Sequence, residues 1–305
     1  MTFLRSRDAD GREGLEHPPL PEALTVGVYD NHAHLEFADG ADPIDYMEAL
    51  DRASSVGVRG VVQVGTDLET SRWSAEVASH EPRMLAAVAL HPNEAPELDA
   101  RGELDAHLAG IDELAAVPRV RAIGETGLDF YRTGDEGRAA QLRSFEAHID
   151  IAKQHGLALQ IHDRDAHQDV VDTLHRVGAP ERTVFHCFSG DAEFAKLVAD
   201  AGWYLSFAGT VTFKNAHGLR EALEVIPRSR ILVETDSPFL TPHPFRGRPN
   251  SPYLVPWTLR AMAAHLETDV SMLAAQVSSN TEEVYGSWDA DPVMQEPTGP
   301  FAELA

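Results

Sequence analysis

Residues 25–37 read TVGVYDNHAHLEF, a short β-branched and aromatic run that closes on two histidines, His32 and His34. Residues i and i+2 of a strand point to the same side, so both imidazoles share one face. The residues just after the run separate two architectures. A doubly wound dinucleotide-binding sheet opens its first turn with a glycine-rich GxGxxG signature, and no such turn is present here. An HxH pair by itself is more often an ordinary strand feature than a metal site, so the meaning of this one depends on the rest of the chain.

The same rhythm recurs downstream. Short apolar runs predict strands at Thr25–Asn31, Val58–Gly65, Met84–Leu90, Arg121–Glu125, Ala158–His162, Thr183–His186, Tyr204–Phe207 and Arg230–Asp236. Between them the apolar residues take helical spacing, as in Leu142, Phe145, Ile149 and Ala152, or Val170, Val171, Leu174 and Val177. Gly156, Gly178 and Gly202 stand where helices should stop. Strands this short and apolar on both faces belong to a covered parallel sheet. Eight strand–helix units within residues 26–286 predict an α/β fold, a closed (β/α)8 TIM barrel.

Composition sets outer bounds. Residues 1–25 read as an irregular extension, and residues 287–305 as an acidic, proline-containing tail expected to be disordered. The opening residues have no apolar segment of signal-peptide type, and no run approaches the ~18 apolar residues that span a bilayer. No membrane partner is expected. A single cysteine, Cys187, permits no internal disulfide and suits a reducing, cytoplasmic location. Placed in a strand beside His186, it would face away from that histidine as a small buried apolar group. The net charge of −24 argues against a broad duplex-binding face. It is compatible with an enzyme that grips one strand end through a few arginines. No protein partner can be inferred.

The chemistry lies at the strand ends. Strand 1 ends in His32 and His34, strand 3 in His91, strand 4 in Glu125, strand 5 in His162, strand 6 in His186 and strand 8 in Asp236. In a barrel all these positions open onto the face where active sites are built. Imidazole suits Zn, Mn and Fe, and carboxylates add hard oxygen. Six ligands exceed what one ion with an open position uses. Two divalent ions (Mg, Mn or Zn) bridged by Glu125 account for them, with His32, His34 and Asp236 on one and His162 and His186 on the other. Such a pair clamps attacking and leaving oxygens, and Asp236 is also expected to take the proton of the attacking water.

The motifs DNHAHLE, VALHPNE, GETGLDFY, IHDRD, HCFSG, ETDSPFL and RGRPNSP resemble the signatures of the TatD family of metal-dependent hydrolases, from Asp30 to about Gly286. That resemblance implies an amidohydrolase-like TIM barrel, divalent-metal deoxyribonuclease activity, and metal ligation by His32, His34, Glu125, His162, His186 and Asp236. Asn31, Glu36 and Thr126 depart from the family's usual residues, and none of them removes a ligand.

Other residues carry weaker signals. His91, Arg246 and Arg248 are candidate substrate contacts, the arginines because guanidinium groups suit phosphate. Ser189 and Gly190 either open the next helix as an anion-binding turn or simply cap it. Asp129 is expected to fix a loop or a ligand, and Glu234 to orient a histidine. Phe130, Tyr131 and Phe207 either stack a base or pack the barrel mouth. His148, His155, His175 and His265 read as surface residues of helices.

The leading expectation is a two-metal phosphodiesterase acting on DNA, on single strands or ends. The alternative keeps the metals and changes the bond, to an ester or amide as in the amidohydrolases, including D-aminoacyl-tRNA deacylation. A carbamylated bridging lysine, common in those enzymes, finds no candidate in the predicted strands. A barrel holding structural metal is disfavoured, since structural zinc sites are closed and commonly use cysteine.

Overall fold

The computed structural model describes residues 3–7, 11–12 and 14–294. Its centre is an eight-stranded parallel barrel: β1 (Val28–Ala33), β2 (Val58–Val64), β3 (Met84–Val88), β4 (Val120–Asp129), β5 (Ala158–Arg164), β6 (Thr183–Phe185), β7 (Tyr204–Phe207) and β8 (Ile231–Val233). Neighbours in sequence are neighbours in the sheet, all parallel. The ring closes between β8 and β1. There Asn31 donates its side-chain amide to the Val233 carbonyl at 2.7 Å, the Asp236 N–H reaches the His32 carbonyl at 2.9 Å, and the His34 N–H reaches the Ser237 carbonyl at 2.7 Å.

Period-two alternation sorts each strand into two layers. Val61, Met84, Ala86, Val88, Ile123, Leu159 and Phe185 pack with the apolar faces of the surrounding helices. Val62, Val64, Leu85, Ala87, Ala122, Ala158, Val184 and Leu232 fill the barrel, floored by Tyr285 and Trp288. Stepping by two along the inner face leads from Ala158 through Gln160 to His162, and from Leu232 through Glu234 to Asp236. The barrel interior therefore grades from an apolar floor to a polar mouth. Among the described residues no helix is long and apolar enough to cross a membrane.

Most strand boundaries shift from the sequence reading: β8 ends at Val233 rather than Asp236 and β3 at Val88 rather than Leu90, while β5 runs on to Arg164. β1 starts at Val28 and runs through Ala33, because its pairing to β2 begins at Val28 opposite Val58 and shifts register twice. β4 does not stop at Glu125 but continues to Asp129. The GETGLD stretch lacks an apolar run, yet its backbone pairs with β5 as far as Asp129 opposite Arg164, with a register shift between Ile123 and Thr126. Gly127 makes this possible: at φ 140° a Cβ there would lie 2.1 Å from the His162 carbonyl oxygen.

The helices are α1 (Tyr46–Ser55), α2 (Leu68–His80), α3 (Ala95–Ala100), α4 (Leu104–Ala115), α5 (Asp135–His155), α6 (His167–Val177), α7 (Ala192–Asp200), α8 (His217–Val225), α9 (Val255–His265) and α10 (Val270–Tyr285). Gly156 in the left-handed region ends α5, and Gly178 ends α6.

Both flanks make contacts with the barrel. The described part of the extension is tied along the barrel rim. Arg12 pairs with Asp39, Arg248 donates to the Glu16 and His17 carbonyls, and Tyr253 donates to that of Pro18. At the other end of the barrel Trp288 stacks on Tyr29 with ring centroids 4.1 Å apart. Buried Arg119 donates to the carbonyls of Trp288 and Asp291, and the Met294 N–H reaches the Ser79 carbonyl. Residues 287–294 thus touch the barrel through Trp288, Asp291 and Met294. The rest of that tail, 295–305, lies outside the described residues.

Candidate metal centre

Glu125 organises the mouth of the barrel. Its Oε2 lies 3.6 Å from His32 Nε2 and 3.7 Å from His34 Nε2. Its Oε1 lies 2.6 Å from His162 Nδ1, 2.9 Å from His186 Nε2 and 3.4 Å from His91 Nε2. Asp236 Oδ1 stands 3.8 Å from His32 Nε2 and 3.7 Å from His34 Nε2. The structure therefore brings together all six sequence-predicted ligands, in two groups on opposite oxygens of one carboxylate, and adds His91 to the second group. A third potential donor group combines His32, His186 and Glu234.

The imidazoles are held with defined nitrogens toward Glu125. His34 Nδ1 lies 2.9 Å from the Val64 carbonyl, so it donates there and leaves Nε2 for the centre. His186 Nδ1 donates to Glu234 Oε1 at 3.2 Å, and that same oxygen takes the Cys187 N–H at 2.7 Å. His162 Nε2 faces Asp129 Oδ2 at 3.3 Å. Asp129 is itself fixed by the Arg132 N–H and the Asn93 amide. The sequence expectations for Glu234 and Asp129 thus meet real contacts. Asp236 sits just past β8 at φ 55°, a backbone region uncommon for non-glycine residues but open to aspartate.

The carboxylates and the burial of the cluster pull its histidines in opposite directions. At His34 burial works against a charged ring, yet Asp236, Glu36 and Glu125 outweigh it and hold its pKa up at about 9. At His162 burial is likewise outweighed by Asp129 and Glu125, again to about 9. His186 is raised well above its ordinary value, burial losing to Glu125 and Glu234. At Glu125 burial opposes ionisation, but His186, His91 and His162 keep the carboxyl well below the usual range. His32 is pushed down to about 3 by burial and the neighbouring His186. A buried anionic centre that draws protons onto three imidazoles is one that attracts cations.

The residues fit divalent metal. Nitrogen and oxygen donors spaced as here match ions bonded at about 2.0–2.2 Å, whose neighbouring ligands touch one another. His32, His34, Glu125 and Asp236 would hold one ion. Glu125, His162 and His186, with His91 beside them, would hold another.

A cavity of about 420 Å³ opens above the centre, lined by His34, His91, Glu125, Asp129, His162 and Asp236, and by Thr66, Asn93, Phe37 and Phe239. Its cations are Arg5, Arg132 and Arg164, none of which the sequence reading singled out. Arg164 lies inside the motif IHDRD and Arg132 comes directly after GLDFY, so for these two the signal was present. Arg246 and Arg248 do not line the cavity. Arg246 lies over the Phe213 ring, and Arg248 is turned toward the extension, where backbone carbonyls take its donors.

Four weaker signals find these places in the structure. The α7 N-cap is Asp191, which takes the Phe194 N–H, and Ser189 is exposed before it. Cys187 lies beyond β6, half-buried, where its N–H serves Glu234. Phe207 is core, while exposed Tyr131 carries the Arg164 guanidinium 3.8 Å from its ring centre. His148 is fully buried, its Nε2 accepting the Leu90 N–H at 3.1 Å.

A parallel eight-stranded barrel with histidines and carboxylates gathered at its mouth is the architecture of a metal-dependent hydrolase. Residues 29–286 match the sequence model of the family described as TatD related DNase, and the chain belongs to that family. It is 44% identical over 263 residues to an "uncharacterized metal-dependent hydrolase TatD" of Mycobacterium tuberculosis, covering 85% of this chain and 98% of that one. It is 33% identical over 249 residues to the "3'-5' ssDNA/RNA exonuclease TatD" of Citrobacter rodentium, covering 79% of this chain and 92% of that one. The crystal structure of the TatD homolog YjjV from Escherichia coli K12 superposes with a TM-score of 0.78 at 24% identity, covering 85% and 98% of the two chains. That likeness shows the fold.

Proposed function

We propose that the protein is a two-metal phosphodiesterase that cleaves DNA, taking single strands or strand ends. The observation that carries this reading is the division of Glu125, one oxygen toward His32 and His34 and the other toward His162 and His186. Divalent ions held there would supply Lewis acidity toward a water nucleophile and a phosphoryl oxygen. In this reading Asp236 holds the proton that water gives up, a role supported by its carboxylate facing the same donors and bordering the cavity. Arg132 and Arg164 add guanidinium donors for phosphate at the cavity wall.

A cavity of about 420 Å³ has room for nucleotide-sized groups, which supports a strand or strand end reaching the centre. The exonuclease relative from Citrobacter rodentium, acting by its name on single-stranded DNA and RNA, supports the same substrate class. Among the bonds available to such barrels the phosphodiester is also favoured by the lysines. Lys153 and Lys196 sit on helices and Lys214 on a loop, so no barrel strand offers a lysine to bridge metals. The single cysteine fits work in a reducing, cytoplasmic setting.

The test compares purified wild type with Asp236→Ala on an end-labelled single-stranded oligonucleotide in Mg²⁺ or Mn²⁺, with D-aminoacyl-tRNA as the competing substrate. Shortening of the oligonucleotide by wild type alone is expected. Equal degradation by both preparations would indicate a contaminating nuclease, and deacylation without strand cleavage would move the assignment to esters.

A further inference from the structure

The family match begins at Tyr29, yet one of the three arginines lining the cavity is Arg5, from the extension. Arg5–Ser6 pairs in parallel with Phe37–Ala38, directly after the HxH stretch. The Leu4 and Arg5 N–H groups reach the Glu36 carbonyl, and the Arg7 N–H reaches that of Ala38 at 3.0 Å. From this anchor the Arg5 side chain turns to the cavity. Its guanidinium donates to Thr66 Oγ1 at 2.9 Å and to the Asp67 carboxylate, and lies 5.6 Å from the centre of the Phe37 ring. Thr66 and Asp67 come just after β2, so Arg5 is clamped between the loops after β1 and β2. Arg132 and Arg164 approach from the β4 and β5 side. The extension thus completes a set of cations on two sides of the mouth.

We propose that Arg5 is a substrate contact, binding a phosphate next to the bond being cleaved, so that the extension forms one wall of the binding site. This rests on the phosphodiester reading above. A planar guanidinium held by Thr66 and Asp67 is oriented before the substrate arrives, and the bidentate geometry of arginine suits phosphate oxygens. On a chain of net charge −24 the general field repels a polyanion, which gives local cations at the cavity added weight. A mere fastening role does not account for the geometry. The extension is already secured by Arg12 on Asp39 and by Arg248 and Tyr253 on its carbonyls, all away from the cavity.

The experiment uses the full chain carrying Arg5→Ala, Arg5→Lys or Arg12→Ala. For a single-stranded oligonucleotide, Arg5→Ala should raise KM about tenfold with kcat within twofold, and Arg5→Lys should recover part of the loss. The slope of log(kcat/KM) against log salt should fall by about 0.7, the share of one phosphate contact on a single strand. Arg12→Ala, which loosens the extension away from the cavity, should leave KM and the slope unchanged. Inorganic phosphate binding, measured by calorimetry, should weaken in Arg5→Ala. Unchanged KM, slope and phosphate affinity in Arg5→Ala would overturn the proposal, as would an equal loss in Arg12→Ala. If wild type cleaves no oligonucleotide, the phosphodiester reading fails on its own. Phosphate affinity then decides Arg5: weaker binding in Arg5→Ala upholds an anion contact, and equal binding removes it.

Discussion

His148 Nε2 accepts the Leu90 N–H at 3.1 Å, joining the middle of α5 to the residue before His91. The ring's other nitrogen donates to the Ser144 carbonyl at 2.7 Å and lies 3.1 Å from Thr126 Oγ1, next to Glu125. One buried imidazole therefore braces the backbone behind two residues of the centre. Burial lowers its pKa to about 4, so it acts as a neutral acceptor through the physiological range. His148→Leu removes that acceptor and leaves the buried Leu90 N–H unpaired, at a cost of about 1–3 kcal/mol. His148→Gln, whose amide oxygen is able to take the same N–H, should recover part of it. Denaturant unfolding of the two variants checks this, and a His148→Leu protein as stable as wild type would count against the bracing role.

Glu234 stands behind His186 as Asp129 stands behind His162. Glu234 is fully buried, and its Oε1 serves both His186 Nδ1 and the Cys187 N–H. Glu234→Gln keeps the shape and an acceptor oxygen but removes the negative charge that makes His186 a better donor. Carboxylates in this position typically contribute 10–100-fold to metal affinity or activity. A loss in that range is expected for Mn²⁺ or Zn²⁺ in competition with a chelating dye, with the far-ultraviolet circular dichroism spectrum unchanged. Wild-type affinity in the variant would show that the charge of Glu234 is not felt at the centre.

The barrel and the convergence of its strand-end side chains were legible because both obey short-range rules. Parallel strands covered on both faces read as apolar runs, and a barrel sends every strand end to one face, so His32, Glu125, His162, His186 and Asp236 converge without any long-range contact being known. The extent of β4 was hidden because GETGLD pairs through backbone, with Gly127 giving room, and carries no apolar run. His148 was legible in principle: 145, 148, 149 and 152 form one helical stripe, and burial of Phe145, Ile149 and Ala152 carries His148 inward with them. Arg5 and Arg248 were not. An arginine's partners across more than 60 and 230 residues respectively depend on how the extension lies over the rim, which no local pattern encodes.

The centre also sets a pH dependence whose sign is fixed by its histidines. His34 and His162 have pKa values held up at about 9, against an unfolded value of about 6.5. A raised pKa contributes stability that is fully present below about pH 6.5 and is lost as pH rises through about 9. His186 is raised as well, and Asp30, lifted by burial to about 8, adds to the decline because its ionisation is disfavoured in the fold. His32 and His148, lowered by burial, are neutral throughout that window and do not oppose it. EDTA-treated protein should therefore melt at progressively lower temperature between pH 6.5 and 9. Metal affinity should move the other way, since an imidazole binds an ion only after losing its proton. Its logarithm should climb by at least one per pH unit across the same range, with proton release on Mn²⁺ binding detectable by calorimetry in buffers of different ionisation enthalpy. A melting temperature of the EDTA-treated protein that rises with pH, or a metal affinity flat from pH 6.5 to 9, would mean that protons and metal do not compete for these imidazoles.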